Sequence, residues 1–62
     1  MNYINYKGYY LNIFYDDTLE RYYFDIDDDQ INTIYSSINK IMCKTKENAI
    51  IKAKKFIDKE MI

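Results

Sequence analysis

Proline is absent, glycine occurs once, at Gly8, and neither histidine nor tryptophan occurs at all. Each absence excludes something. Without proline, and with one glycine, turns must be built from Asp, Asn, Ser and Thr, whose side chains hydrogen-bond to nearby backbone. Without histidine there is no side chain that ordinarily titrates near neutrality, which removes the commonest general base and the commonest metal ligand. Cys43 is the single cysteine, so no disulfide can form within the chain, and one thiol cannot complete a structural zinc site. With no base to ionise it, Cys43 reads as a buried structural thiol rather than a nucleophile, and it accords with a reducing compartment. No apolar run approaches the roughly 20 residues that span a bilayer. The opening Met-Asn-Tyr-Ile-Asn-Tyr-Lys has neither the basic head nor the apolar stretch of a signal peptide. The expectation is a cytoplasmic protein that is not an enzyme and takes no cofactor and no metal.

What is present is aromatic and aliphatic. The 62 residues are 48% hydrophobic and 18% aromatic, with eight tyrosines. A chain this short buries only about 60% of its unfolded surface, so one domain, residues 1–62, must be held by a single well-packed core or by self-association.

The net charge of −1 conceals an asymmetry. Residues 1–29 hold two cations, Lys7 and Arg21, against seven anions, a net of −5; residues 30–62 hold seven lysines against Glu47, Asp58 and Glu60, a net of +4. A domain polarised in this way presents two electrostatic faces to partners.

Residues 3–15 read as extended, with Gly8 marking a bulge or the point where the strand begins. From there Tyr9, Leu11, Ile13 and Tyr15 share one parity and form the better core face. Asp16 to Glu20 supplies a hairpin connection, and residues 21–27 a second strand with Tyr22, Phe24 and Ile26 inward. Residues 28–44 carry two readings. Ile31, Ile34, Ile38 and Ile41 have amphipathic-helix spacing, yet the segment is rich in residues that favour strands and contains no Ala, Leu or Glu. A loop followed by a third strand near residues 35–44 is the preferred reading, a helix the alternative. The last segment is a helix over 46–61: Thr45 is its N-cap, Glu47 suits its first turn, and Ala49, Ile50, Ala53, Phe56 and Ile57 line one face. The fold class expected is α+β, a three-stranded antiparallel sheet packed by one C-terminal helix (βββα), with ββαα as the alternative.

Candidate functional residues fall into two groups. Asp25, Asp27, Asp28 and Asp29, with Asp16 and Asp17 of the hairpin turn, form an acidic end. The alternation of Asp25, Asp27 and Asp29 lacks the glycine and distal Glu of a calcium loop, so a metal is not expected. Tyr3, Tyr6, Tyr10 and Tyr23 lie on parities away from the core, and tyrosine is enriched at protein interfaces. A partner surface on another protein or protein–nucleic-acid complex, or a homodimer, is therefore assigned to Tyr10, Tyr23 and these six aspartates. The second group, Lys52, Lys55 and Lys59 on the helix, would serve nucleic acid as the alternative. Against that reading, the helix carries no Arg, no RNP-like motif occurs, and the isoelectric point is near 5.2.

The stretch Tyr22-Tyr23-Phe24-Asp25-Ile26, followed by Thr45-Lys46-Glu47-Asn48-Ala49-Ile50 and Ala53, resembles the partial fold of HicB-type antitoxins. Those domains run strand–strand–strand–helix with a Thr-x-Glu-x-Ala helix start. The resemblance covers about half the chain and implies three strands and one packed helix. The family's Gly-rich third strand and DNA-binding segment have no counterpart in these residues, so it implies the fold more than antitoxin activity. In size, polarity and tyrosine content the chain is also similar to the inhibitors that mobile elements, phages among them, direct against host defence, anti-CRISPR proteins included. That likeness implies a small, non-enzymatic inhibitor or modulator acting by steric or acidic-surface binding.

Overall fold

The computed structural model describes residues 3–62. Four strands form one antiparallel meander in the order β1 (Ile4–Tyr6), β2 (Tyr9–Asp16), β3 (Arg21–Asp27) and β4 (Thr33–Ser36). The helix α1 (Lys46–Phe56) follows and winds on through a π-helical extension, Ile57–Met61. The expected α+β class and the C-terminal helix are present; the strand count is four rather than three.

The extra strand comes from Lys7 and Gly8. With φ of 50° and 88°, both sit in the left-handed region, and Tyr6 pairs with Tyr9 across them. Two positive φ values make the tight turn whose twist matches that of the flanking strands, and glycine meets the second at no steric cost. The extended stretch 3–15 is thus folded on itself. This reversal also moves Tyr6 from the outer parity to the core face, opposite Tyr9.

The other correction concerns residues 28–44. No helix forms there. Asp28 Oδ1 accepts the N–H groups of Gln30 and Asn32, both at 2.9 Å, and this turn delivers the chain to β4. The strand lies at 33–36 instead of 35–44, with a bulge opposite Ile26 and Asp27. It stops because Ser37 takes over its role. The Ser37 N–H donates to the Phe24 carbonyl at 2.8 Å, and the Ser37 hydroxyl, fully buried, accepts the Phe24 N–H at 2.9 Å. Residues 38–42 then loop out, with Asn39 at a φ of 62°, and Cys43 returns to exchange both backbone bonds with Tyr22. A strand, a hydroxyl and an isolated bridge together satisfy the outer edge of β3.

The core lies on one face of the sheet. Leu11, Phe24 and Ile26 meet Ala53 and Ile57 of the helix, all with no exposure. Ile4, Tyr6, Tyr9, Ile13, Tyr35, Ile41, Phe56 and Met61 pack around them. The Thr45 hydroxyl caps α1 by accepting the Asn48 N–H at 3.1 Å. At the far end Asp58 ties the helical extension to the first hairpin: it pairs with Lys7 at 2.6 Å and accepts the Tyr6 hydroxyl at 2.9 Å. Lys7 and Lys54 each lie 5.3 Å from the Tyr6 ring. Among the described residues no helix is long and apolar enough to cross a membrane.

Two outcomes follow from these contacts. Ser37→Ala leaves the buried Phe24 N–H without an acceptor and should cost about 1–3 kcal/mol in denaturant unfolding, against under about 0.5 kcal/mol for exposed Asn39→Ser. The hydrogen bond from Lys7, then that from Tyr6, holds the Asp58 carboxyl below its ordinary 3.8. A lowered folded-state value stabilises above the unfolded value and is lost as pH falls through the folded one. The melting temperature should therefore drop in acid below about pH 4, and part of that drop should vanish in Asp58→Asn. An identical acid profile in the variant would exclude the contact as its source.

Candidate protein-binding surface

Alternation along β2 and β3 decides what faces away from the helix. With Leu11, Ile13, Phe24 and Ile26 inward, the opposite face carries Tyr10, Asn12, Phe14 and Asp16 from β2 and Arg21, Tyr23, Asp25 and Asp27 from β3. Register joins them in rows: Tyr10 beside Asp27, Asn12 beside Asp25, Phe14 beside Tyr23, Asp16 beside Arg21. No helix or second sheet covers this face among the described residues. Thr33 and Ser36 of β4 extend it beside Asp27 and Asp25.

Aromatic rings supply its area. Phe14 and Tyr23 stack with centroids 5.4 Å apart, and Tyr3 meets Tyr10 edge-on at 5.7 Å. Phe14, 39% exposed, was not singled out by sequence reasoning, although it shares the parity of Tyr10. The stack it forms with Tyr23 is a cross-strand pair of the kind that stabilises a sheet while leaving ring surface to solvent.

The aspartates divide. Asp16 Oδ1 accepts the Thr18 and Leu19 N–H groups at 2.9 and 3.0 Å, so its carboxylate holds the β2–β3 turn. Asp28 does the same for the next turn. Asp27 is 3% exposed and accepts the Thr33 hydroxyl at 2.8 Å. Asp25 differs: its Oδ1 is buried within the face and has no hydrogen-bond partner. Asp17 and Asp29 are exposed in the turns. The structure therefore brings Tyr10, Asp16, Tyr23, Asp25 and Asp27 onto one face, while Asp17, Asp28 and Asp29 sit in the turns that end β2 and β3. Among the described residues no group of His, Cys, Asp and Glu is placed to hold a metal ion.

Lys52, Lys55 and Lys59 are brought together on the other side of the sheet. With Ile41, Phe56 and Glu60 they line an open groove of about 410 Å³. Its floor is part of an aromatic column: Phe56 stacks on Tyr35 at 4.1 Å, and Lys40 lies 5.2 Å from the Tyr35 ring. Sequence reasoning did not place Ile41 and Phe56 beside these lysines, because only the loop 38–42 brings Ile41 to the helix.

The division of the acids can be measured. Asp28→Ala removes an acceptor shared by two backbone N–H groups and should cost about 1 kcal/mol, as a lost cap does; Asp17→Ala and Asp29→Ala should stay within about 0.5 kcal/mol. Thermal unfolding of the three variants separates them.

No protein-family model, no curated protein and no solved structure matches the chain.

Proposed function

We propose that this chain is a small, non-enzymatic protein-binding module that docks the uncovered face of its sheet against a basic partner. The observation that carries the reading is the Phe14–Tyr23 stack on the uncovered face, with Asp25 following Tyr23 on the same side of β3. Stacked rings bring large contact area at low entropic cost, and the charge of the half-buried Asp25 beside them favours a partner that carries cations. Asp27 and the turn acids Asp17 and Asp29 extend the negative field, which speeds encounter with a positive surface. The mode of action such a face serves is steric: a compact body occupies a basic surface that another molecule needs. An inhibitor or modulator of a host-defence complex, encoded by a mobile element, is the biological form of this reading, and its partner is a protein or a protein–nucleic-acid complex. Nucleic-acid binding through Lys52, Lys55 and Lys59, in the manner of an antitoxin, is less well supported. Both neighbouring rings, Tyr35 and Phe56, stack on each other, leaving little platform for a base.

Affinity capture from the source cell tests the reading, with the immobilised wild type beside Phe14→Ala, Tyr23→Ala and Asp25→Asn. A partner held through this face is retained by the wild type and lost with the aromatic variants, Tyr23→Ala costing about 2 kcal/mol or more in affinity. With the captured partner purified, Asp25→Asn together with Asp29→Asn should slow association about tenfold at low salt and little at high salt. Retention indifferent to all of these substitutions would remove the sheet face from the account.

A further inference from the structure

The lysine-rimmed groove is a concave feature that the sheet-face reading leaves unused. Its floor, Ile41 and Phe56, is apolar, and Lys52, Lys55 and Lys59 stand along it with Glu60 as the opposing charge. The matching ligand has an aliphatic side chain for the floor and carboxylates for the rim. Planar bases are disfavoured, since the Phe56 and Tyr35 rings are stacked at 4.1 Å and Lys40 lies over Tyr35.

The chain itself carries a segment of that chemistry. The β2–β3 turn, Asp17-Thr18-Leu19-Glu20, projects from the end of the two longest strands. Leu19 is 45% exposed at its tip, and Asp17 and Glu20 flank it, both exposed. The turn is pre-shaped, because Asp16 Oδ1 holds the Thr18 and Leu19 N–H groups. A pre-shaped segment loses little freedom on docking. Charge points the same way: the turn belongs to the half of the chain with a net of −5, and the groove's lysines to the half with a net of +4.

We infer that the groove of one copy receives the β2–β3 turn of a second copy, with Leu19 on Ile41 and Phe56 and with Asp17 and Glu20 facing Lys52, Lys55 and Lys59. Each copy carries one turn and one groove, so a reciprocal pair satisfies both, while a one-way contact extends into a chain of copies. The contact leaves Phe14, Tyr23 and Asp25 uncovered, and it stands or falls separately from the sheet-face reading.

Sedimentation equilibrium of the full chain, up to about 1 mM and at roughly 20 and 500 mM salt, is the test. Association is expected at low salt and should weaken at high salt. A turn variant, Asp17→Lys with Glu20→Lys, and a groove variant, Lys52→Glu with Lys55→Glu, should each self-associate at least about tenfold more weakly. An equimolar mixture of the two should regain the affinity, because each reversed surface then meets its complement. Leu19→Ser should weaken association at both salt concentrations. Circular dichroism establishes that each variant is folded, and Leu19→Ser decides the matter should a charge-reversed chain fail to fold. Phe14→Ala should leave self-association unchanged. A wild type that stays monomeric throughout overturns the inference. Variants that associate like the wild type, or a mixture that recovers nothing, overturn it equally. Loss of association on Phe14→Ala would move the contact to the sheet face and refute the groove.

Discussion

Everything in this fold depends on how closely one helix can approach one face of the sheet. Ala49 and Ala53, both fully buried, present no side chain beyond Cβ where the helix crosses β2 and β3. Phe24, Leu11 and Ile26 rise to meet Ala53 and Ile57. Each such large side chain contributes about 1.5–3 kcal/mol when fully buried, so a handful supplies most of the favourable term for a domain of this size. A bulkier residue at position 53 would lift the helix and open a void over Phe24, and small domains have little stability to lose. The one helix packs on one face of the sheet, and among the described residues no element covers the other.

That second face is not composed as a neutral solvent face would be. A sheet that only has to remain soluble alternates polar residues outward, often with lysines, and keeps large rings inward. Here Tyr10, Phe14 and Tyr23 point outward while Arg21 is the one cation among them. Part of the aromatic content is structural, since the Phe14–Tyr23 pair stabilises the longest ladder. The acids are harder to attribute to stability. Asp16 and Asp28 terminate strands by accepting backbone N–H groups that a chain without proline must satisfy in some other way, and Asp27 is matched to Thr33. Asp25 has no such role, and its unpaired oxygen is a cost to the isolated fold.

Much of this was legible in the residues. Period-two alternation assigned the inward faces of β2 and β3, and alanine spacing with a Thr N-cap assigned α1, because burial on one side imposes a parity that composition records. The first hairpin escaped because its signal is a single Lys-Gly pair with both φ values positive; a lone glycine is equally consistent with a bulge. Missing that reversal put Tyr6 on the wrong face. The middle segment misled for another reason. Ile31, Ile34, Ile38 and Ile41 carry helical spacing, yet only Ile41 packs on the core, and the other three are 47%, 45% and 39% exposed. Ile31 even occupies the left-handed region at a φ of 63°, where a β-branched residue stores about 1–3 kcal/mol of strain. What fixes this stretch is tertiary: a serine hydroxyl standing in for a strand carbonyl and a cysteine bridging back to Tyr22. Neither leaves a periodic trace. Of the candidate surface, the parity of Tyr10, Tyr23, Asp25 and Asp27 was readable, whereas the groove depends on a loop conformation that sequence spacing does not encode.

The distribution of charge carries the last consequence. Folding places seven of the ten acids on β2, β3 and their turns, and seven of the eight lysines on the loop and helix that follow β4. Lys7–Asp58 is the single ion pair found among the described residues, so the two fields do not neutralise one another within the molecule. Like charges gathered on each side repel, and that repulsion is relieved when a body of opposite sign covers them. Whatever binds either side therefore also stabilises the fold, since it engages the native arrangement and not the unfolded chain. In a domain with one thin core this coupling makes occupancy and stability parts of the same equilibrium. Neutralising Asp25, whose buried oxygen has no hydrogen-bond partner, should then raise the stability of the free protein even as it weakens its complexes, a trade-off that the turn-holding Asp16 and Asp28 would not show.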